Sequence, residues 1–191
     1  MKPSGTISQL VDCSSGIHPR YSKHYIRRVR QAVTDPITQF LIDQGVPDEP
    51  CVMQPDTTVV FDFYIESPEH SLTTDDMDVI GQLDLAKVFG GSWATHTVSC
   101  TAYYTDQNFF DACAWMWKPE NWDSLIGMSF LPFGDASSYR QSPYEEISKA
   151  EYTQLTLCSE PIDWSLLPSY ERGDTTEGAK TAACVGDACE L

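Results

Sequence analysis

An α/β fold with parallel strand pairing is the class this sequence predicts, and three observations predict it. Helix-like and strand-like segments alternate along most of the chain. Gly, Pro and capping residues punctuate them. At 191 residues, 41% of them hydrophobic and 12% aromatic, the chain can bury a core of ordinary domain size.

Each element has its own warrant. Gly5, followed by Thr6 to Val11, predicts a tight turn opening a short helix. Asp35 to Gly45 predicts a longer one: Asp35 caps it and Pro36 suits its first position. Ile37, Phe40 and Leu41 share a face, and Gly45 ends it. Thr57 to Ile65 (TTVVFDFYI) is β-branched and aromatic, hence a strand. A helix starts at Thr74-Asp75-Asp76, carries Met77, Ile80 and Leu83 at helical spacing, and breaks at Gly90-Gly91.

Thr97 to Tyr104 predicts a second strand, and Asp106 to Lys118 an amphipathic helix stopped by Pro119. Ile126 to Leu131 is a third strand, and Ser148 with Glu151 forms a capping box for a last helix. Three strands make a poor closed sheet, and parallel strands need cover on both faces. Another segment is therefore expected to supply part of the fold. From about Asp174 the composition turns small and polar, so 1–170 is expected to fold and 171–191 to form a flexible tail.

Charge narrows the function classes. Lys plus Arg number 12 against 28 Asp plus Glu, a net charge of −16, which argues against a broad nucleic-acid or anionic-membrane surface. The first thirty residues run the other way, with six basic side chains (Lys2, Arg20, Lys23, Arg27, Arg28, Arg30) and one acidic (Asp12). Such a segment suits a small anionic ligand near the N-terminus, or else a solvated cationic face or an inter-subunit contact. The sequence lacks a signal peptide and any apolar run near the roughly 18 residues of a membrane helix. Seven cysteines without framework spacing fit a reducing, cytoplasmic setting.

Two places carry chemistry. The Ser4-Gly5-Thr6 turn presents backbone N–H groups, two hydroxyls and the positive end of a helix dipole, which suits phosphate; the same pattern also serves as a plain N-cap. Cys184 and Cys189 sit on the tail. They lack the CxxC spacing and extra ligands of a structural zinc site, leaving a small-loop disulfide or an exchange-active dithiol. With Tyr170 as anchor, the 19 residues to Cys189 give a flexible coil a mean reach of roughly 24 Å. Cys51, Cys100, Cys113 and Cys158 read as packing residues, while Cys13 beside the phosphate turn is open to either reading. His18 reads as a loop or packing residue that could help position a ligand. Trp115, Trp117, Phe109 and Phe110 read as core, and no histidine shows metal-ligand spacing.

Taken in order, the motifs resemble those of adenosylcobalamin-dependent (class II) ribonucleotide reductases. The likeness runs from Lys2-Pro3-Ser4-Gly5-Thr6-Ile7-Ser8-Gln9-Leu10-Val11-Asp12 into Ser14-Ser15-Gly16-Ile17-His18-Pro19-Arg20. It continues through Asp35-Pro36 to Gly45, Trp115-Met116-Trp117-Lys118, Ser129-Phe130-Leu131-Pro132 and Pro143-Tyr144-Glu145-Glu146-Ile147, and ends at the tail cysteines. The strand Met128-Ser129-Phe130-Leu131 has no Tyr-Tyr pair of the kind carried by reductases with a separate radical subunit.

The resemblance implies that 1–170 is the C-terminal part of a ten-stranded α/β barrel. It implies that Ser4, Gly5, Thr6 and Ile7 hold the substrate nucleotide's di- or triphosphate. Cys184 and Cys189 would re-reduce an active-site disulfide and be re-reduced in turn by a thioredoxin-like reductant. The radical cysteine, its disulfide partners and the adenosylcobalamin site would lie on an upstream part, so this chain alone would be inactive. The stretch Ser92-Trp93-Ala94-Thr95-His96 departs from the family pattern. A non-catalytic remnant or thiol relay, and a simple nucleotide-binding module, are the rival readings.

Overall fold

The computed structural model of the protein describes residues 2–125, 127–133 and 140–171. In chain order its elements are α1 (Ile7–Leu10), β1 (His24–Ala32), α2 (Pro36–Asp43), β2 (Asp48–Pro50), β3 (Thr58–Glu66), α3 (Val79–Ser92) and β4 (Cys100–Tyr104). There follow α4 (Phe109–Met116), α5 (Pro119–Trp122), β5 (Met128–Pro132), β6 (Tyr144–Glu146), α6 (Lys149–Cys158), a 3-10 turn (Trp164–Leu166) and α7 (Leu167–Tyr170). Two compact units result. One joins the residues up to Lys23 with those from Ser67 to Phe133; the other joins His24–Glu66 with the described residues from Arg140 onward.

The first unit holds the parallel pairing that the sequence predicts. β4 and β5 run parallel, with Cys100 opposite Met128 and Thr101 opposite Ser129, and α4 and α5 form the crossover between them. Val79 and Leu83 of α3, Ala102 of β4, and Ala112 and Trp115 of α4 form one buried cluster. Ile17, Ala86, Val98 and Cys100 form a second. Helix α3 begins later than its spacing predicts, because Asp78 caps it by accepting the Gly81 amide at 2.8 Å. Asp76 is instead taken by the Thr73 amide and hydroxyl. The helix also runs through Gly90-Gly91 to Ser92, so the glycine pair does not break it.

The second unit departs from the prediction. Its sheet has four antiparallel strands in the order β2-β3-β1-β6, of which only β3 is foreseen. Helix α2 matches: Asp35 accepts the Ile37 amide at 3.2 Å, Pro36 opens the first turn, and Gly45 follows in the left-handed region at φ +73. Phe40, Leu41, Val46 and Phe61 are buried together, with the rings of Trp164 and Tyr170 each 5.5 Å from that of Phe40. The capping box of α6 is present in both directions, Glu151 to the Ser148 amide and Ser148 to the Glu151 amide.

The arginines of β1 belong to this sheet. Arg28 lies opposite Asp62 and reaches it at 3.2 Å through Nε, while its Nη2 meets Glu145 at 2.6 Å. Arg28 Nε and Asp62 Oδ1 are close but not aligned as a hydrogen bond. Burial pushes the Asp62 carboxyl above the usual range; Arg28 opposes this without prevailing, and Glu49 and Glu145 add to it. The folded state therefore holds that proton more tightly than the unfolded chain does. Stability present at low pH is lost as the pH climbs from the ordinary carboxyl range, about 4, through the raised value. In Asp62→Asn, urea denaturation followed across that range should show a shallower decline than the wild type, with Arg28 still held by Glu145.

Candidate functional site

Ser4 is the hub of the N-terminal loop. Its Oγ accepts the Ser8 amide at 3.0 Å, and its carbonyl accepts the Ser8 hydroxyl at 2.8 Å and the Ser15 hydroxyl at 2.7 Å. The Cys13 amide donates to the Ser8 carbonyl at 2.9 Å, folding the chain back beside α1. At Gly16 the backbone is left-handed, φ +62, and a Cβ there would lie 3.2 Å from Pro3 Cα. Only glycine suits both demands. The Pro3-Ser4-Gly5-Thr6 turn and the Ser15-Gly16-Ile17-His18 turn are thus one folded piece.

What this piece presents outward is a short strip of polar groups. Thr6 takes the N-cap position of α1, yet its side chain makes no capping hydrogen bond. The amides of Thr6 and Ile7 have no acceptor among the described residues, and both residues are exposed. A Cβ built on Gly5 meets no atom within 4 Å. Two exposed amides in succession and the Thr6 hydroxyl, with room against the backbone, suit an anion.

Two side chains behind the strip hold it in place. Arg20 is 4% exposed; its guanidinium donates to Asp12 at 2.7 Å, to the Cys13 carbonyl at 3.0 Å and to Ser67 Oγ at 3.3 Å. His18 Nδ1 lies 2.8 Å from the Ser15 carbonyl, and its Nε2 accepts the Thr101 amide of β4 at 2.9 Å.

Of the residues singled out from sequence, Ser4, Gly5, Thr6 and Ile7 fall together in this loop, with Thr6 and Ile7 on its outer face and Ser4 bonded inward. Cys184 and Cys189 lie outside the described residues. Of the alternatives that the charge pattern leaves open, a shared anion site finds no support in the contacts of the described basic residues. Arg20 is buried in its network, Arg28 and Arg30 bond within the second unit, Arg27 stacks over Tyr144, and Lys23 bonds carbonyls of Pro68, Glu69 and Ser71. Charge alone does not locate the loop, because these cations are engaged elsewhere, Arg20 with Asp12 and Cys13 close by in the chain and the others with partners farther off.

Among the other thiols, Cys100 is buried and pushed up to about 11 by that burial, against the hydrogen bond from Gln82. Burial also raises Cys51, but hydrogen bonds with the Gln54 and Met53 backbone and with Arg30 outweigh it and leave the thiol below its usual value. Cys13 and Cys158 are exposed and Cys113 is half-buried. Trp115 is core, whereas Trp117 is 90% exposed and Phe110 77%, contrary to the reading of all four aromatics as core.

A cavity of about 290 Å³ in the first unit is lined by Gly90, Gly91, His96, Val98, Glu120, Asp123 and Ser124. It falls just below the range of small-molecule pockets, and a corrin macrocycle does not fit it.

No protein-family profile matches the chain. Its sequence is 31% identical over 192 residues to an adenosylcobalamin-dependent ribonucleoside-triphosphate reductase of Euglena gracilis, covering 99% of this chain and 26% of the relative. A probable enzyme of the same name from Dictyostelium discoideum is 30% identical over 176 residues, covering 87% of this chain and 22% of the relative. The chain is homologous to adenosylcobalamin-dependent ribonucleoside-triphosphate reductases. It spans about a quarter of the length of these curated relatives. The crystal structure of a B-12 dependent (class II) ribonucleotide reductase superposes with a TM-score of 0.70 at 23% identity, covering 92% of this chain and 24% of that one. The shared fold is thus that of part of a class II reductase.

Sequence reasoning named the strip but not what holds it: Ser8, Ser15, Gly16 and Arg20 carry that work. The signal available was the Ser15-Gly16-Ile17-His18-Pro19 motif, read for resemblance rather than for its bonding. Gly16→Ala should destabilise the protein by about 1–2 kcal/mol from the left-handed backbone alone, and more if Pro3 cannot yield. Urea denaturation against wild type measures it.

Proposed function

We propose that this chain is the C-terminal part of a cobalamin-dependent ribonucleotide reductase, supplying the substrate-phosphate loop and the dithiol arm for reduction of ribonucleotides to 2′-deoxyribonucleotides. Residues 1–170 contribute to the catalytic barrel and 171–191 form the arm. The observation that carries the reading is the pair of exposed amides at Thr6 and Ile7, with the Thr6 hydroxyl beside them, Ser4 bonded inward behind them and room for a ligand at Gly5, in a chain homologous to these reductases. The substrate is a ribonucleoside triphosphate, in keeping with the names of the relatives.

In this reading the phosphates take hydrogen bonds from the Thr6 and Ile7 amides and the Thr6 hydroxyl, while Gly5 lets them approach the backbone. Adenosylcobalamin would supply radical chemistry when bound, and the resemblance to the reductases implies a site for it on an upstream part. That part also supplies the radical cysteine and the disulfide formed at each turnover. A thiolate of the Cys184/Cys189 pair attacks one sulfur of that disulfide, and the other tail thiol resolves the mixed disulfide. Two electrons pass inward, the active site regains two thiols, and the tail becomes a disulfide. A thioredoxin-like dithiol then reduces it, which suits a reducing compartment such as the cytoplasm.

Two experiments test the two halves. Because a methyl group at Gly5 meets no protein atom, Gly5→Ala should leave the urea midpoint nearly unchanged while weakening CTP binding about tenfold by calorimetry. Unchanged binding would count against the loop. For the arm, Cys184→Ser with Cys189→Ser, assayed with an upstream reductase fragment, should abolish thioredoxin-driven turnover and spare dithiothreitol-driven turnover. Equal loss with both reductants would remove the arm.

A further inference from the structure

His18 is held by two backbone groups whose roles leave no freedom. An amide can only donate, so Nε2, 2.9 Å from the Thr101 nitrogen, must accept and carry no proton. A carbonyl can only accept, so Nδ1, 2.8 Å from the Ser15 oxygen, must carry the hydrogen. The imidazole is therefore neutral, in one tautomer, and spans from β4 to the turn. Ser15 in turn gives its hydroxyl to the Ser4 carbonyl at 2.7 Å. A path thus runs by hydrogen bonds from Thr101 through His18 to the Ser15 carbonyl and, across the covalent frame of Ser15, from its hydroxyl to Ser4.

We propose that His18 is the positioning residue of the phosphate loop, holding it in register with β4 only while its ring is neutral. The inference rests, for its ligand, on the phosphate role proposed above. Protonation at Nε2 would turn an acceptor into a donor facing the Thr101 donor. The amide loses its partner, the ring is pushed off the strand, and Ser15 and Ser4 lose their anchor.

Other ionisable groups on the surrounding elements have their own placements. In the loop Asp12 and Arg20 pair with each other, and Cys13 is exposed with its carbonyl bonded to Arg20. On α3, Asp84 accepts from Trp115, and Lys87 bonds Asn121. On β4, the Cys100 thiol accepts from Gln82, and Tyr103 and Tyr104 lie further along the strand. Strand β5 carries no ionisable side chain.

The first test needs no ligand. In the ¹⁵N-labelled full chain, the two-bond imidazole spectrum should show His18 as the Nδ1–H tautomer. The Thr101 amide should lose protection against exchange about tenfold between about pH 8 and about pH 5, while Phe61 in the other unit keeps its protection. In His18→Gln, whose amide oxygen can accept from Thr101 without titrating, protection of Thr101 should persist across the range. An Nε2–H pattern in the wild type, or Thr101 protection independent of pH, would overturn the proposal, and neither depends on the variant folding.

The second test is CTP binding by calorimetry. The wild type should weaken about tenfold more than His18→Gln over the same pH change; because CTP's own titration is common to both, the ratio isolates the ring. Equal weakening in both overturns the proposal. If the tautomer and exchange results hold but CTP binds at neither pH, His18 still positions the turn, and the phosphate role is what fails.

Discussion

The first unit depends on a buried cation. Arg20 has almost no access to water, and a guanidinium taken out of water must find partners for its donors. It finds them on both sides: Asp12 and the Cys13 carbonyl behind it in the chain, and the Ser67 hydroxyl from a segment 47 residues on. Its own backbone pairs with Leu72 and Thr74. Asp12 is left-handed at φ 49, a conformation uncommon for a residue with a side chain and sustained here by the ion pair. The turn that carries Ser15, Gly16 and His18 is therefore clamped at its far end before any ligand arrives.

A loop braced in this way can afford an unsatisfied outer face. The inner atoms of the Ser4 turn are taken by Ser8 and Ser15, so the exposed amides of Thr6 and Ile7 are held in place by groups that do not themselves compete for an anion. Preorganisation of this kind lowers the ordering cost of binding. The thiols of Cys100 and Cys51 show the same economy of position in reverse, one kept protonated by burial and the other drawn toward thiolate by neighbouring donors.

Local signals in the sequence were legible wherever the chain answers to its near neighbours. The cap at Asp35, the proline after it, the glycine at 45, the Ser148/Glu151 box and the β-branched run of β3 all appear as read. Strand β1 was missed because its arginines mark it as a charged stretch, and the carboxylates that neutralise Arg28 come from β3 and β6, more than thirty residues away. Strands β2 and β6 are three residues each, too short for any periodicity. Pro119 opens α5 rather than merely ending the helix before it, and the Gly90-Gly91 pair sits inside α3. The site's outer residues were legible as a motif; its bracing was not, since a hydrogen bond from Thr101 to His18 joins positions 83 residues apart.

The two-membered ladder of β4 and β5 has a practical corollary for anyone handling this polypeptide by itself. Among the described residues neither strand has a second strand beside it; His18 takes the Thr101 amide on the outer side of β4, so it is the outer rim of β5 on which a foreign segment can template. Mutual repulsion between copies bearing a net charge of −16 opposes such pairing, and dissolved electrolyte screens it beyond about 10 Å at 0.1 M. Purified alone, the material should therefore clump as salt is added, and dilute buffer is its better storage medium.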